Sequence, residues 1–117
     1  MNDNEFWEYL EKIVNENEII IDRPKGTRHP KYNGIIYIVD YSYIKNTKSM
    51  DGNGIDVFIG SEIKQNIDAI ICSIDMLKKD SEIKILIGCT EKEKIEIYDF
   101  LNNSKFFKAI LVRRTER

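Results

Sequence analysis

Apolar residues recur at two different periods along this chain, and the switches between them mark out its elements. Phe6, Leu10, Ile13 and Val14 fall at helical spacing among acidic and amide residues, with Asn2 and Glu5 placed as a capping box, so residues 3 to 15 are predicted to form an amphipathic helix. Short strand-like runs follow at Ile19–Ile21, Ile35–Val39, Asp40–Ile44, Val57–Ile59, Ile67–Ile74 and Ile83–Gly88. The charged stretch Asp75 to Glu82 reads as a hairpin link between the last two runs. Thr90-Glu91-Lys92-Glu93 is a second capping box, and Ile97, Tyr98 and Leu101 give the helix behind it an apolar stripe ending at Asn102-Asn103. Phe107–Val112 reads as a final strand. This order predicts an α+β, mainly β domain: a small OB-like antiparallel β-barrel or curled sheet with N-terminal and C-terminal flanking helices.

Two interruptions of the pattern carry the candidate chemistry. From Asp22 to Tyr32 two prolines and a glycine forbid regular structure, so Arg23, Lys25, Arg28 and Lys31 are presented from a stiffened loop. The second interruption is Asp51-Gly52-Asn53-Gly54-Ile55-Asp56, whose aspartates stand five residues apart, one in a tight turn and one at the mouth of a strand. Oxygen ligands on a stiff turn suit Mg²⁺ or Mn²⁺; the plainer alternative is a polar turn that holds nothing. A calcium loop is excluded, since Asp56 occupies the sixth position, where such a loop needs glycine. Tyr37, Tyr41 and Tyr43 alternate and would share one face of a continuous strand, a pattern that lines cores more often than it binds ligands.

At 117 residues, 42% hydrophobic and 32% charged, residues 1–117 are expected to form a single soluble globular domain. No apolar run approaches the length of a membrane span and the first residues are acidic, so the expected location is cytoplasmic, with no membrane partner. Cys72 and Cys89 each sit in an apolar run and are expected as buried free thiols. A net charge of −2 argues against nucleic acid as a partner. The charge is unevenly spread, with six Lys or Arg against two acids from Asp22 to Lys48 and twelve acids from Ser49 onward. Basic and acidic clusters folded together are what a metal-bridged polyanion requires, although a mixed-charge surface would show the same counts.

Read together, Asp22-Arg23-Pro24, Lys31-Tyr32, Tyr37 with Tyr41, and Asp51-Gly52-Asn53-Gly54-Ile55-Asp56-Val57 resemble the soluble (family I) inorganic pyrophosphatases in order and in several spacings. The resemblance runs from Asp22 to about Gly88. It implies that Asp51 and Asp56 bind metal, that Asp56 also helps deprotonate the attacking water, and that Tyr41 supports the nucleophile. It further implies Lys31 as a phosphate ligand and Asp22 as a shortened counterpart of a family glutamate. The family's next two aspartates, five residues apart, match Asp75 and Asp80, with Lys84 as a phosphate-binding lysine; the alternative alignment puts Glu82 in place of the second and Leu77 in place of the first. Departures are Asn53 and Gly54 within the signature, Asn33 for a metal-linked glutamate, and the lack of a phosphate-binding arginine between Tyr32 and Tyr37. Arg28, Arg113 or Arg114 is expected to replace that charge.

The implied activity is hydrolysis of inorganic pyrophosphate, or another small phosphoanhydride, by a water that Mg²⁺ or another divalent cation such as Mn²⁺ activates. The family also implies a homo-oligomer. The alternatives are a catalytically degenerate phosphate- or nucleotide-binding module, a structural module, and an OB-type nucleic-acid binder.

Overall fold

Six strands and two helices are built from these runs, in the order α1 (Asn4–Glu16), β1 (Ile19–Arg23), β2 (Asp40–Ile44), β3 (Ile55–Ile59), β4 (Ile67–Asp75), β5 (Asp80–Ile87), α2 (Glu91–Leu101) and β6 (Phe107–Arg113). The computed structural model describes residues 3–30, 34–49 and 52–115. The strands form one sheet of order β1-β2-β3-β5-β4-β6, so the ladder among the described residues runs linearly with β1 and β6 at its edges. This is the expected α+β, OB-like architecture with one refinement: β3 and β5 pair in parallel, the other four pairings being antiparallel. The parallel pair arises because β5 folds back from the β4 hairpin and inserts between β3 and β4.

Alternation along the strands gives the sheet two different faces. On one, Trp7 and Leu10 of α1 pack on Ile44, Val57, Ile70 and Ile85. On the other, Ile97 of α2 packs on Val39, Phe58, Ile71 and Leu86. Each fully buried large side chain contributes roughly 2 to 3 kcal/mol, so neither helix needs strong intrinsic propensity to dock. The capping box of α2 forms in full: Glu93 N–H donates to Thr90 Oγ1 at 3.1 Å and Thr90 N–H to Glu93 Oε1 at 2.8 Å. Ser61 N–H also donates to Glu93, tying the loop after β3 to the helix start. At α1, by contrast, Asp3 is the N-cap residue and makes no side-chain capping bond, while Asn2 lies outside the described residues.

Ile35–Val39, expected as a strand, is not one. Tyr37 N–H donates to Thr27, Gly26 N–H to Tyr37 and His29 N–H to Ile35, so this segment arches against the proline-bounded loop with a single bridge, Arg28 to Ile36. Pro24 and Pro30 have no N–H to continue a ladder on that side. Cys89 is buried and Cys72 half-buried, both as free thiols.

Candidate functional site

The side chains of interest stand on the α2 face, in one band across β1, β2, β3 and β5. Gly52 makes the turn into β3 with φ 84°, and a Cβ at Gly54 would come 2.6 Å from the carbonyl oxygen of Ile44, so both glycines are required for the approach to β2. Asp56 then follows as the second residue of β3, opposite Tyr43 of β2 and one pleat before the Phe58–Leu86 pair with β5. That register brings it to Lys84, whose Nζ donates to Asp56 Oδ2 at 2.7 Å and to Glu82 Oε1 at 3.3 Å. The three side chains are 18%, 7% and 12% exposed for Asp56, Lys84 and Glu82. Glu82 Oε2 is buried with no hydrogen-bond partner.

Tyr41 completes the band. Its hydroxyl hydrogen-bonds to Asp56, its ring stacks on Tyr37 at 5.4 Å, and the tilted Phe58 ring packs against it at 5.1 Å. Burial, reinforced by the negative Asp56, pushes its pKa well above the usual phenol range, so the hydroxyl remains a proton donor. At Lys84, burial disfavours the charge, but Asp56 and Glu82 outweigh it and the pKa ends above the ordinary lysine value. The ammonium is thus a permanent cation held between two carboxylates.

Arg23 lies at the other end of the band. It is the last residue of β1, opposite Tyr41, and its guanidinium sits 5.5 Å from the Tyr37 ring centroid and 5.6 Å from that of Tyr41 while Nη1 donates to the Tyr37 hydroxyl. A register shift between Ile21 and Arg23 skips Asp22, which stays half-exposed with its carboxylate 3.8 Å from Arg23 Nε. Strict alternation would not reveal which of these two residues faces the tyrosines; only the bulge decides. Arg23, not singled out as a site residue from the sequence, is the arginine that the structure brings against Tyr37 and Tyr41.

The other sequence-derived residues are placed as follows. Asp51 and Lys31 lie outside the described residues. Asp75 and Asp80 face each other across the β4–β5 hairpin, and Asp75 Oδ1 accepts from the N–H groups of Leu77 and Lys78, the work of a turn. Glu82, two residues along β5 toward the sheet centre, is the carboxylate that shares Lys84 with Asp56. Arg28 is in the arch. Arg113 is held by Glu91 on α2, and Arg114 by Glu11, the Ile67 carbonyl and the Trp7 ring beside α1, so neither brings its charge to Asp56. Among the described residues, no group of three His, Cys, Asp or Glu side chains is placed to hold a metal ion.

No family model matches the sequence, and no curated protein matches it. Among solved structures, the inorganic pyrophosphatase of the pathogenic bacterium Helicobacter pylori is similar over 83% of this chain and 84% of its own, with a TM-score of 0.58 and 10% identity. At that identity the likeness concerns the backbone alone, and it shows that the chain has a pyrophosphatase-like fold.

Proposed function

We propose that this chain hydrolyses a small phosphoanhydride with the help of a divalent cation, pyrophosphate being the first substrate to test. The observation that carries the reading is the Arg23–Tyr41–Asp56–Lys84–Glu82 band, with cations at two points and carboxylates between and beyond them, on a fold shared with a pyrophosphatase. The donor set fits a hard cation: it is all oxygen, and Glu82 Oε2 is an orphaned buried acceptor. Asp56 and Glu82 would hold the ion, with Asp51 the further ligand expected from the sequence; when bound, the ion would supply Lewis-acid charge stabilisation and acidify a coordinated water.

The chain's own groups have separable tasks. Lys84 carries a charge that burial has not removed, and can turn an N–H from Glu82 to a phosphate oxygen without leaving Asp56. Arg23 offers a planar fork suited to two oxygens of one phosphoryl group. Tyr41, kept protonated, and Lys84 together hold the Asp56 carboxylate in one orientation.

Phosphate release from pyrophosphate with Mg²⁺, Mn²⁺ or Co²⁺ tests the reading directly. Asp56→Asn is expected to lower the rate on the order of a thousandfold, as loss of a metal-holding general base does, and Glu82→Gln is expected to cost far more than Asp80→Asn. No release above background with any of the three ions overturns it.

A second reading rests on one observation: the Lys84 ammonium already fills the space between Asp56 and Glu82. An internal cation of this kind suits a module that binds phosphate without hydrolysing it. Calorimetric binding of phosphate without turnover, lost in Arg23→Ala, would select that reading.

A further inference from the structure

One flank of α1, the loop after β3 and the segment that follows β6 enclose a polar pocket of about 550 Å³, whose wall includes Glu11, Asn15, Lys64, Asn66, Asp68 and Arg114. It shares no residue with the Arg23–Tyr41–Asp56–Lys84–Glu82 band.

Arg114 organises this pocket. It follows β6 directly, and its backbone N–H donates to the Asp68 carbonyl at 2.7 Å, which fixes where the side chain starts. The guanidinium then lies over the Trp7 ring, 5.7 Å from its centroid, while Nη1 pairs with Glu11 Oε1 at 2.8 Å and donates to the Ile67 carbonyl at 3.2 Å. Those contacts occupy one corner of the planar group. The edge formed by Nε and Nη2 carries nothing: Nε is buried without a hydrogen-bond partner, and Nη2 bonds no described residue. With the side chain only 13% exposed, bulk water does little to make up that deficit. The open edge is the one on which an arginine takes both oxygens of a carboxylate side by side.

The surroundings narrow the choice of anion. Two cations, Arg114 and Lys64, and two carboxylates, Glu11 and Asp68, stand in the wall, so it has no net charge to hold a dianion such as phosphate. Asn15 and Asn66 are exposed beside them, and their side chains bond no described residue. Carboxylates and amide oxygens accept N–H and O–H donors.

We propose that the pocket binds a small carboxylate that itself carries hydrogen-bond donors, a hydroxy acid or an amino acid. Its carboxylate lies on the Nε–Nη2 edge of Arg114 and its donors turn toward Glu11, Asn15 and Asn66. None of the side chains assigned to hydrolysis takes part, so the two properties can fail independently.

Amide-resolved NMR of the full chain, titrated separately with L-serine, glycolate, acetate and inorganic phosphate, gives the test. L-Serine or glycolate is expected to produce saturable shifts confined to residues 64–68, 114 and 115 and the facing turn of α1, together with the indole N–H of Trp7, the one tryptophan of the chain. Saturation by one and not the other tells an amino-acid site from a hydroxy-acid site. Acetate, which has the carboxylate without the donors, is expected to bind about tenfold more weakly, as the loss of one or two hydrogen bonds implies, and phosphate more weakly still. Arg114→Lys keeps a cation beside Glu11 but has no planar edge, and is expected to abolish saturation. Asn66→Asp, at an exposed loop position, is expected to weaken binding through the added negative charge while leaving the rest of the spectrum unchanged. Absence of saturable shifts with both L-serine and glycolate overturns the proposal. So does unchanged affinity in a folded Arg114→Lys or in Asn66→Asp, or acetate or phosphate binding as tightly as the better of the two donor-bearing acids.

Discussion

The same strands serve the two faces of the sheet in opposite ways. On the α1 side, alternate residues of β3, β4 and β5 are Val, Ile and Cys, and stability there comes from packing. On the α2 side, the intervening residues include Asp56, Lys84 and Glu82, and α2 covers only the end of the sheet where those positions turn apolar, at Phe58, Leu86 and Ile71. A β-strand thus separates a structural from a chemical requirement without lengthening the chain, because successive side chains point to opposite faces. The contrast predicts that damage on one face is read as lost stability alone, and damage on the other as lost stability and lost chemistry together.

Removing the charge at the centre of the polar face sharpens this contrast most. Lys84→Ala leaves two half-buried carboxylates without their shared counter-ion and is expected to destabilise by about 3 to 5 kcal/mol. Urea unfolding measures the loss, and partial recovery of the midpoint on adding Mg²⁺ is expected if Asp56 and Glu82 accept the ion. The corresponding cut on the apolar face is Ile85→Ala, at a residue with no exposed surface. It is expected to cost about 3 kcal/mol through lost burial and the cavity left behind, with phosphate release per folded molecule unchanged.

Smaller effects follow at the helix start and under titration. Thr90→Ala removes one half of the capping box and is expected to lower stability by about 1 kcal/mol, seen as a few degrees in Tm. Its partner Glu93 has a pKa below the usual carboxylate value: burial opposes this, but the bonds from Thr90 and Ser61 outweigh it. The stability that Glu93 contributes is therefore present above the ordinary carboxylate pKa and fades as pH falls through the lower folded value. Lys84 behaves in the reverse sense. Its folded pKa is raised, so its contribution is complete below the ordinary lysine value of about 10.4 and is lost as pH rises through the folded one. Tyr41, also raised, adds to the same alkaline loss. A Tm profile that declines above about pH 10, with a shallower decline in Lys84→Met, is the expected outcome.

The smallest expected effect is kinetic. Cys89, pushed up to about 12 by burial and by Glu93 and Asp68, is expected to resist thiol reagents in the native protein, and Cys72, half-buried, to react first. Labelling followed by mass spectrometry reads the order.

The elements that local rules govern were legible in advance. The 3.6-residue stripe of α1, the Thr90–Glu93 box, the β4–β5 hairpin and the final strand all depend on residues close in sequence, and all formed, although β5 begins at Asp80, three residues before the expected Ile83. The arch at residues 35–39 did not, because its partner strand would have come from a loop whose prolines lack the N–H groups a ladder needs. Of the band of side chains, Asp56, Tyr41 and Lys84 could be named from spacing and family likeness. Preferring Asp75 and Asp80 over Glu82 followed an interval along the chain, whereas proximity to Asp56 is set by the parallel register of β3 and β5, a pairing between segments far apart in sequence.

By itself, then, the order of residues determined most of the segments that are helix or strand and which acids and cations are available to a site. Tertiary structure decided which of them meet. Insertion of β5 beside β3 placed Lys84 and Glu82 at Asp56, and the bulge in β1 turned Arg23 rather than Asp22 toward the tyrosines. Register across a sheet is fixed by the summed packing of both faces, and a shift of one residue exchanges the faces entirely; no short stretch of sequence carries that information.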